Sequence, residues 1–105
     1  MNIAPVDGTI TIAHLFENSA QYSGKVIRIK GEVTKFNGGI MGRNWVHYQD
    51  GSIHDGKYDL MITTKAEPAI GAIAIFEGII TLNKDFGSGY FYTVLMEDAV
   101  ISIHQ

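Results

Sequence analysis

Lys25-Val-Ile-Arg-Ile-Lys-Gly-Glu-Val-Thr-Lys-Phe36 is the stretch that decides the fold. Its apolar and polar side chains alternate, which is the pattern of a β-strand with one buried side and one solvent-facing side. Gly31 falls on the apolar side, between Ile29 and Val33. A glycine inside such a run indicates a bend or bulge, the feature that lets a long strand coil around the corner of a small barrel.

The rest of the chain supplies one helix and four more strands. Apolar residues recur at helical spacing after Thr11, so we predict a helix near residues 11–20 that Thr11 caps. The predicted later strands are Asn44–Gln49, Tyr58–Thr64, Ala72–Asn83 with Gly78 inside it, and Tyr90–Ser102. The sequence therefore predicts an all-β fold with a short N-terminal helix, in one domain over residues 1–105 with its barrel at about 25–102.

Five strands with glycines inside the first and fourth match the OB-fold, a five-stranded Greek-key barrel. The ligand surface of an OB-fold lies around strands 2 and 3 and the loops that join strands 1–2 and 4–5. In this chain those loops are two glycine-rich segments, Phe36–Trp45 and Asn83–Tyr90. Many OB-folds carry a helix between strands 3 and 4, but only a stub fits here. We therefore expect the N-terminal helix to close that end of the barrel.

The composition excludes several classes of function. A chain of 105 residues with 46% hydrophobic and 18% charged residues is globular rather than disordered. The absence of cysteine excludes disulfides, thiolate metal sites and cysteine nucleophiles. A net charge of −3 disfavours tight binding through nucleic-acid phosphates alone. No signal peptide and no long apolar run is visible, so we expect a soluble chain without a transmembrane segment.

The two glycine-rich segments provide the candidate ligand-binding residues, because their aromatic rings suit stacking and their cations suit phosphate contacts at the rim. The candidates are Lys35, Arg43, Asn44, Trp45, Tyr48, Lys84, Phe86 and Tyr90. Phe91 and Tyr92 extend the same aromatic set. The alternative is that Trp45 and every second aromatic residue of the last strand pack inside the barrel.

Metal binding and catalysis have less support. His47, Asp50, His54, Asp55 and Asp59 surround one predicted hairpin, and imidazole with carboxylate suits zinc or nickel. Their spacing matches no metal motif, so we predict a solvated polar loop and no cofactor. Glu97 and Asp98 are adjacent on a predicted strand and point to opposite faces, so they cannot flank one bond. We predict that the protein is not an enzyme.

Two long motifs resemble a known family. They are Gly39-Ile-Met-Gly-Arg-Asn-Trp-Val-His-Tyr-Gln-Asp-Gly51 and Leu82-Asn-Lys-Asp-Phe-Gly-Ser-Gly-Tyr90, with Glu97-Asp-Ala99 beyond them. Together they resemble small bacterial OB-fold proteins that are often exported or lipid-anchored and are commonly described as nucleic-acid-binding. The similarity extends from about Thr11 to Ile101.

The resemblance implies a binding module for single-stranded nucleic acid, located in the periplasm or cell envelope. The alternatives are an oligosaccharide ligand, or an accessory or protein-interaction domain of the envelope that touches no nucleic acid. Ile73 and Ile79 stand where the family is usually polar, which favours a covered face or a homo-oligomer.

Overall fold

Five strands follow two short helices in the computed structural model, which describes residues 1–102. The helices are α1 (Ile12–Glu17) and α2 (Ser19–Tyr22). The strands are β1 (Val26–Ile40), β2 (Arg43–Gln49), β3 (Leu60–Thr64), β4 (Ile73–Asp85) and β5 (Phe91–Ser102). The mostly β composition and the number of strands are as predicted from the sequence.

The five strands form one sheet that closes into a ring. Their order is β1-β2-β3-β5-β4, and β4 returns to pair with β1. Every pairing is antiparallel except the one between β3 and β5. β1 has two partners, because residues 26–32 pair with β4 and residues 32–40 pair with β2. Gly31 lies where β1 changes from one partner to the other.

The two glycines inside long strands allow close approach between strands. A Cβ atom at Gly31 would lie 2.8 Å from Tyr48 Cε2 and 2.9 Å from the carbonyl oxygen of Gln49. A Cβ atom at Gly78 would lie 2.5 Å from Met96 Cγ, and the β4–β5 ladder is irregular at this position. Glycine is therefore required at both positions because a neighbouring strand leaves no room for a side chain, and not because the backbone has a positive φ.

The inside of the ring is a single apolar core. Ile12 and Leu15 of α1 are fully buried in it, so the N-terminal helix covers the core as expected. The other fully buried members include Ile29, Val33, Val46, Tyr48, Leu60, Ile62, Phe76 and Met96. The predicted helix is interrupted at Asn18, and a second helix continues to Tyr22. In residues 1–102 no helix is both long enough and apolar enough to cross a membrane.

The glycine-rich segment at Phe36–Trp45 is mostly strand, so its prediction as a loop is wrong. β1 continues to Ile40 and β2 begins at Arg43, with only Met41 and Gly42 between them. Both turn residues have positive φ, 54° at Met41 and 74° at Gly42, which matches the twist of a two-residue hairpin. The second segment is also shorter than predicted, because β4 continues to Asp85.

Candidate functional site

A second apolar cluster lies on the outer face of the sheet, around Trp45. Val46 and Tyr48 belong to the core inside the ring, so the alternating residues Trp45 and His47 face outward. Trp45 is nevertheless only 3% exposed, because it packs with Met61 and Leu95. Its Nε1 donates a hydrogen bond to the carbonyl oxygen of Ile40 over 2.9 Å.

Two aromatic rings cover Trp45 from outside. The Phe86 ring meets it edge to face at a centroid distance of 5.0 Å, and the Tyr92 ring stacks on it at 5.7 Å. Tyr90 lies at 6.1 Å in a tilted arrangement. Trp45 is therefore a packing residue that joins the two hairpins, and in this arrangement its face is closed to a ligand.

Tyr48 lies inside the ring and has no exposed surface. Its hydroxyl donates to the carbonyl oxygens of Ile29 and Ala74, and burial raises the pKa of Tyr48 above its ordinary value of 10.0. The prediction that Tyr48 contacts a ligand is wrong. Its side chain falls on the apolar face of β2, where a large ring fills the space left by Gly31.

Asn44 uses its side-chain amide to join two segments of the chain. The backbone N–H of Gly39 donates to Asn44 Oδ1 over 3.0 Å, and Asn44 Nδ2 donates to the carbonyl oxygen of Ala66 over 3.0 Å. The residue therefore connects the β1–β2 hairpin to the segment that follows β3. Both ends of its amide are occupied by the protein itself.

Phe86 lies between two cations. Arg43 Cζ is 5.2 Å and Lys84 Nζ is 5.0 Å from the centroid of its ring, within cation–π range. Lys84 also donates to Glu97 Oε2 over 2.9 Å. The structure thus brings Arg43, Lys84 and Phe86 together, but it neutralises Lys84 by an ion pair.

Glu97 is the anion of this group. Burial by itself raises the pKa of Glu97, but hydrogen bonds from Thr81 and Lys84 and the charges of Lys84 and Arg43 outweigh burial. Its pKa therefore lies below the ordinary value. The Thr81 hydroxyl donates to Glu97 Oε1 over 2.6 Å. The carboxylate stays ionised at neutral pH and fixes the β4–β5 hairpin.

An open groove runs along the outer face of β2, β3 and β5 beside the Trp45 cluster. Two adjoining cavities of about 430 and 340 Å³ form it, and both are lined by His47, Met61 and Tyr92. Exposed rings surround the groove: Tyr58 is 50% exposed, Phe91 53% and Tyr90 38%. Large aromatic surface in contact with water is a feature of interaction sites.

A histidine–carboxylate pair lies in the groove wall. His47 Nδ1 is 2.7 Å from Asp59 Oδ2, and Gln49 Nε2 donates to Asp59 Oδ1 over 3.0 Å. Both partners of the pair are half-buried. With Nδ1 directed at the carboxylate, Nε2 is the ring nitrogen left for other partners. His47 and Asp59 are thus only partly solvated, whereas exposed Asp55 fits the predicted solvated loop.

The other carboxylate of that loop has a structural role. Asp50 is 3% exposed and accepts hydrogen bonds from backbone N–H groups of Ile12 and Ser52. Within residues 1–102, no three or more histidine, cysteine or acidic side chains are grouped so that they could hold a metal ion. His47 and Asp59 therefore belong to the groove, whereas Asp50 accepts hydrogen bonds at the start of α1.

One lysine lines the groove and a second lies opposite His47, which is part of the groove wall. Lys35 is directly opposite His47 in the β1–β2 ladder, so the two side chains share the outer face. Lys57 lines the wall of the larger cavity, next to Tyr58. Both lysines are exposed. Asp59 is the one carboxylate among the lining residues of the two cavities within the described part of the chain.

His47, Lys57, Tyr58 and Asp59 are not among the ligand-binding residues predicted from the sequence. For His47 a signal exists, because it lies two residues after Trp45 and shares its outward face. Lys57 to Asp59 carry no comparable signal, because β3 begins at Leu60 and not at the predicted Tyr58, so these residues lie outside the alternating pattern. Of the predicted residues, Trp45 and Tyr90 line the groove and Lys35 lies opposite His47, whereas Arg43, Lys84 and Phe86 line neither of its cavities.

Comparison with protein-family models, with curated proteins and with solved structures found no match to this chain.

Proposed function

We propose that the closed ring is an OB-fold barrel. Three features support this assignment: five strands, an order in which β4 returns to β1, and a groove over β2 and β3 beside the β1–β2 and β4–β5 hairpins. The helix that many OB-folds carry between strands 3 and 4 is replaced here by α1, whose Ile12 and Leu15 enter the core.

We further propose that the protein is a non-enzymatic module that binds single-stranded nucleic acid along this groove. The observation that carries the proposal is the set of exposed rings of Tyr58, Tyr90 and Phe91 along the groove, with Lys57 in its wall and Lys35 opposite His47. Stacking on aromatic side chains contributes ~1–3 kcal/mol per base and tolerates any sequence. The two lysines then attract the phosphates that connect the stacked bases.

The charge of the protein sets the expected strength of binding. With a net charge of −3 and only two lysines at the groove, affinity depends on stacking more than on phosphate contacts. Each phosphate contact to a single strand contributes a slope of about −0.7 to the logarithm of affinity against the logarithm of salt concentration. We therefore expect a modest affinity with a shallow salt dependence.

An oligosaccharide is the second candidate ligand, and the His47–Asp59 pair favours it. Sugar rings stack on the same aromatic faces, while imidazole and carboxylate groups offer hydrogen bonds to sugar hydroxyls. A neutral sugar would bind without the salt dependence of a polyanion. Salt therefore separates the two candidates.

The test is fluorescence anisotropy with a labelled short oligothymidylate at low and high salt. We expect Tyr58→Ala and Phe91→Ala each to weaken binding by about tenfold, the loss of one stacked base. Lys35→Gln and Lys57→Gln should weaken it less and make the salt slope shallower. Lys25→Gln is the matched control, since Lys25 is exposed ahead of β1 and lines neither groove cavity.

Two outcomes would contradict the nucleic-acid proposal. One is the absence of any binding at low salt by a folded protein. The other is salt-independent binding of a neutral oligosaccharide that Tyr58→Ala and Phe91→Ala abolish, which would favour the second candidate.

A further inference from the structure

A third cavity lies near the other end of β3 and shares no lining residue with the groove. Its volume is about 400 Å³. Three parts of the chain form it: Gly42 of the β1–β2 turn with Arg43 at the start of β2, the end of β3 with the following Lys65, and residues 98–100 of β5. We call it the Arg43 pocket.

The Arg43 pocket has two cations, Arg43 and Lys65. Neither forms a direct ion pair within residues 1–102, although the charge of Arg43 acts on Glu97. The Arg43 guanidinium lies over the Phe86 ring, with Cζ 5.2 Å from the ring centroid. A planar guanidinium with free N–H groups is suited to bidentate binding of a phosphate or carboxylate.

A buried hydroxyl adds a further donor. Thr63 is 2% exposed and lines the pocket. Its Oγ1 accepts a hydrogen bond from the backbone N–H of Asp98 over 3.3 Å and donates to no other residue in 1–102. The hydroxyl hydrogen is thus available to an oxyanion that enters the pocket beside Arg43 and Lys65.

Asp98 gives the pocket an acceptor as well as donors. It has a positive φ of 52°, in a part of β5 where the ladder to β4 is irregular. Its carboxylate is exposed, lines the pocket and pairs with no cation in the described part of the chain. This carboxylate repels an anion but accepts a hydrogen bond from a hydroxyl, so the pocket suits a ligand whose anionic group contacts the cations and whose hydroxyl contacts Asp98.

A single strand that lies in the groove can reach the Arg43 pocket. Met61 lines the groove and Thr63 lines the pocket, and the two residues are about 7 Å apart along β3. The exposed aromatic residues are on the groove side, whereas Arg43 and Lys65 are on the pocket side. The two sites are therefore complementary to bases and to backbone respectively.

We propose that the Arg43 pocket binds a phosphate and the neighbouring ribose 2′-hydroxyl of the strand in the groove, so that the ligand is RNA rather than DNA. This inference rests on the proposed function. Arg43, Lys65 and Thr63 receive the phosphate oxygens. Asp98 accepts a hydrogen bond from the 2′-hydroxyl, the group that distinguishes RNA from DNA.

The test compares a short oligouridylate with the deoxy-oligouridylate of the same length, so that the bases are identical. For the unaltered protein we expect RNA to bind about tenfold more tightly, the effect of one hydrogen bond to a charged acceptor. Asp98→Gly should remove the RNA preference, measured as the ratio of the two affinities, and glycine tolerates the positive φ of Asp98. Arg43→Gln should weaken both ligands and reduce the salt slope by about 0.7.

The controls separate this inference from the proposed function and from loss of fold. Lys25→Gln should leave both affinities unchanged, and thermal melting should show that each variant is folded. Equal affinity of the unaltered protein for the two ligands would overturn the Arg43 pocket as an RNA site while leaving the groove proposal intact. Binding of neither ligand would overturn both proposals.

Discussion

The carboxylate of Asp50 accepts the backbone N–H of Ile12, with Asp50 Oδ2 2.9 Å from the nitrogen. Ser52 Oγ accepts the next N–H group, that of Ala13, also over 2.9 Å. The segment after β2 therefore satisfies two of the free N–H groups at the start of α1. The position of the helix over the core depends on this contact as well as on the side chains that it buries.

Asp50→Ala should lower the free energy of unfolding by about 1–3 kcal/mol, because it leaves a buried N–H group without an acceptor. Urea denaturation followed by circular dichroism measures the change. Asp7→Ala is the matched control, since Asp7 is exposed and should change stability by less than about 0.5 kcal/mol. Equal stability of the two variants would mean that the Asp50 contact does not stabilise α1.

Gly31→Val and Gly78→Val should each destabilise the ring by about 3 kcal/mol or more, because a side chain at either position overlaps a neighbouring strand. The melting temperature of each variant measures the effect. Lys30→Val adds the same side chain to the outer face of β1 and should have a much smaller effect. Unchanged melting of the glycine variants would contradict the close approach of the strands.

Stability should fall on acidification, in part through Glu97. Its pKa in the folded protein is lower than the ordinary value of 4.5, so its ionised form stabilises the fold above that pH. This contribution begins to fall when the pH drops below 4.5, and it is lost once the pH is below the lowered pKa of Glu97. Glu97→Gln should therefore be less stable at neutral pH and lose less stability in acid.

Denaturation at a series of pH values measures this difference. Exposed Glu67→Gln should follow the unaltered protein at every pH. Parallel pH profiles for Glu97→Gln and the unaltered protein would show that the Thr81 and Lys84 contacts do not depress the pKa.

Phe86→Ala should expose Trp45, the only tryptophan of the chain. We expect its fluorescence emission to move to longer wavelength and the free energy of unfolding to fall by about 2 kcal/mol, from lost packing and lost cation–π contacts. Phe91→Ala removes a ring that is not among the aromatic neighbours of Trp45 and should leave the emission unchanged. The same emission from both variants would mean that Phe86 does not shield Trp45.

The strands were largely predictable because the alternation of side chains is strong. β1 and β4 extend past their predicted ends at Phe36 and Asn83, since the glycines that indicated loops also occur within the hairpin arms. Residues such as Ile40 and Arg43 are paired across the ladder although their neighbours lack strand propensity. Local composition indicates a turn, but cross-strand pairing decides where it begins.

The site was less predictable than the strands, for a geometric reason. Successive side chains of β2 point alternately to the inner and outer face of the sheet. This alternation alone places Tyr48 inside and Trp45 outside. It does not indicate that Phe86 and Tyr92 fold over Trp45, because that contact joins residues far apart in sequence. Tyr58 and Asp59 reach the groove from an irregular segment, which has no periodicity to read.

The parallel pairing of β3 with β5 has a kinetic consequence. Two parallel strands cannot be joined by a hairpin, so β3 and β5 are connected through the whole of β4. The β1–β2 and β4–β5 hairpins can form from local contacts. The pairings of β1 with β4 and of β3 with β5, here called the two junctions, require closure of long loops. We therefore expect the chain to fold in milliseconds to seconds, with the two junctions forming after the hairpins and separating first when the protein unfolds.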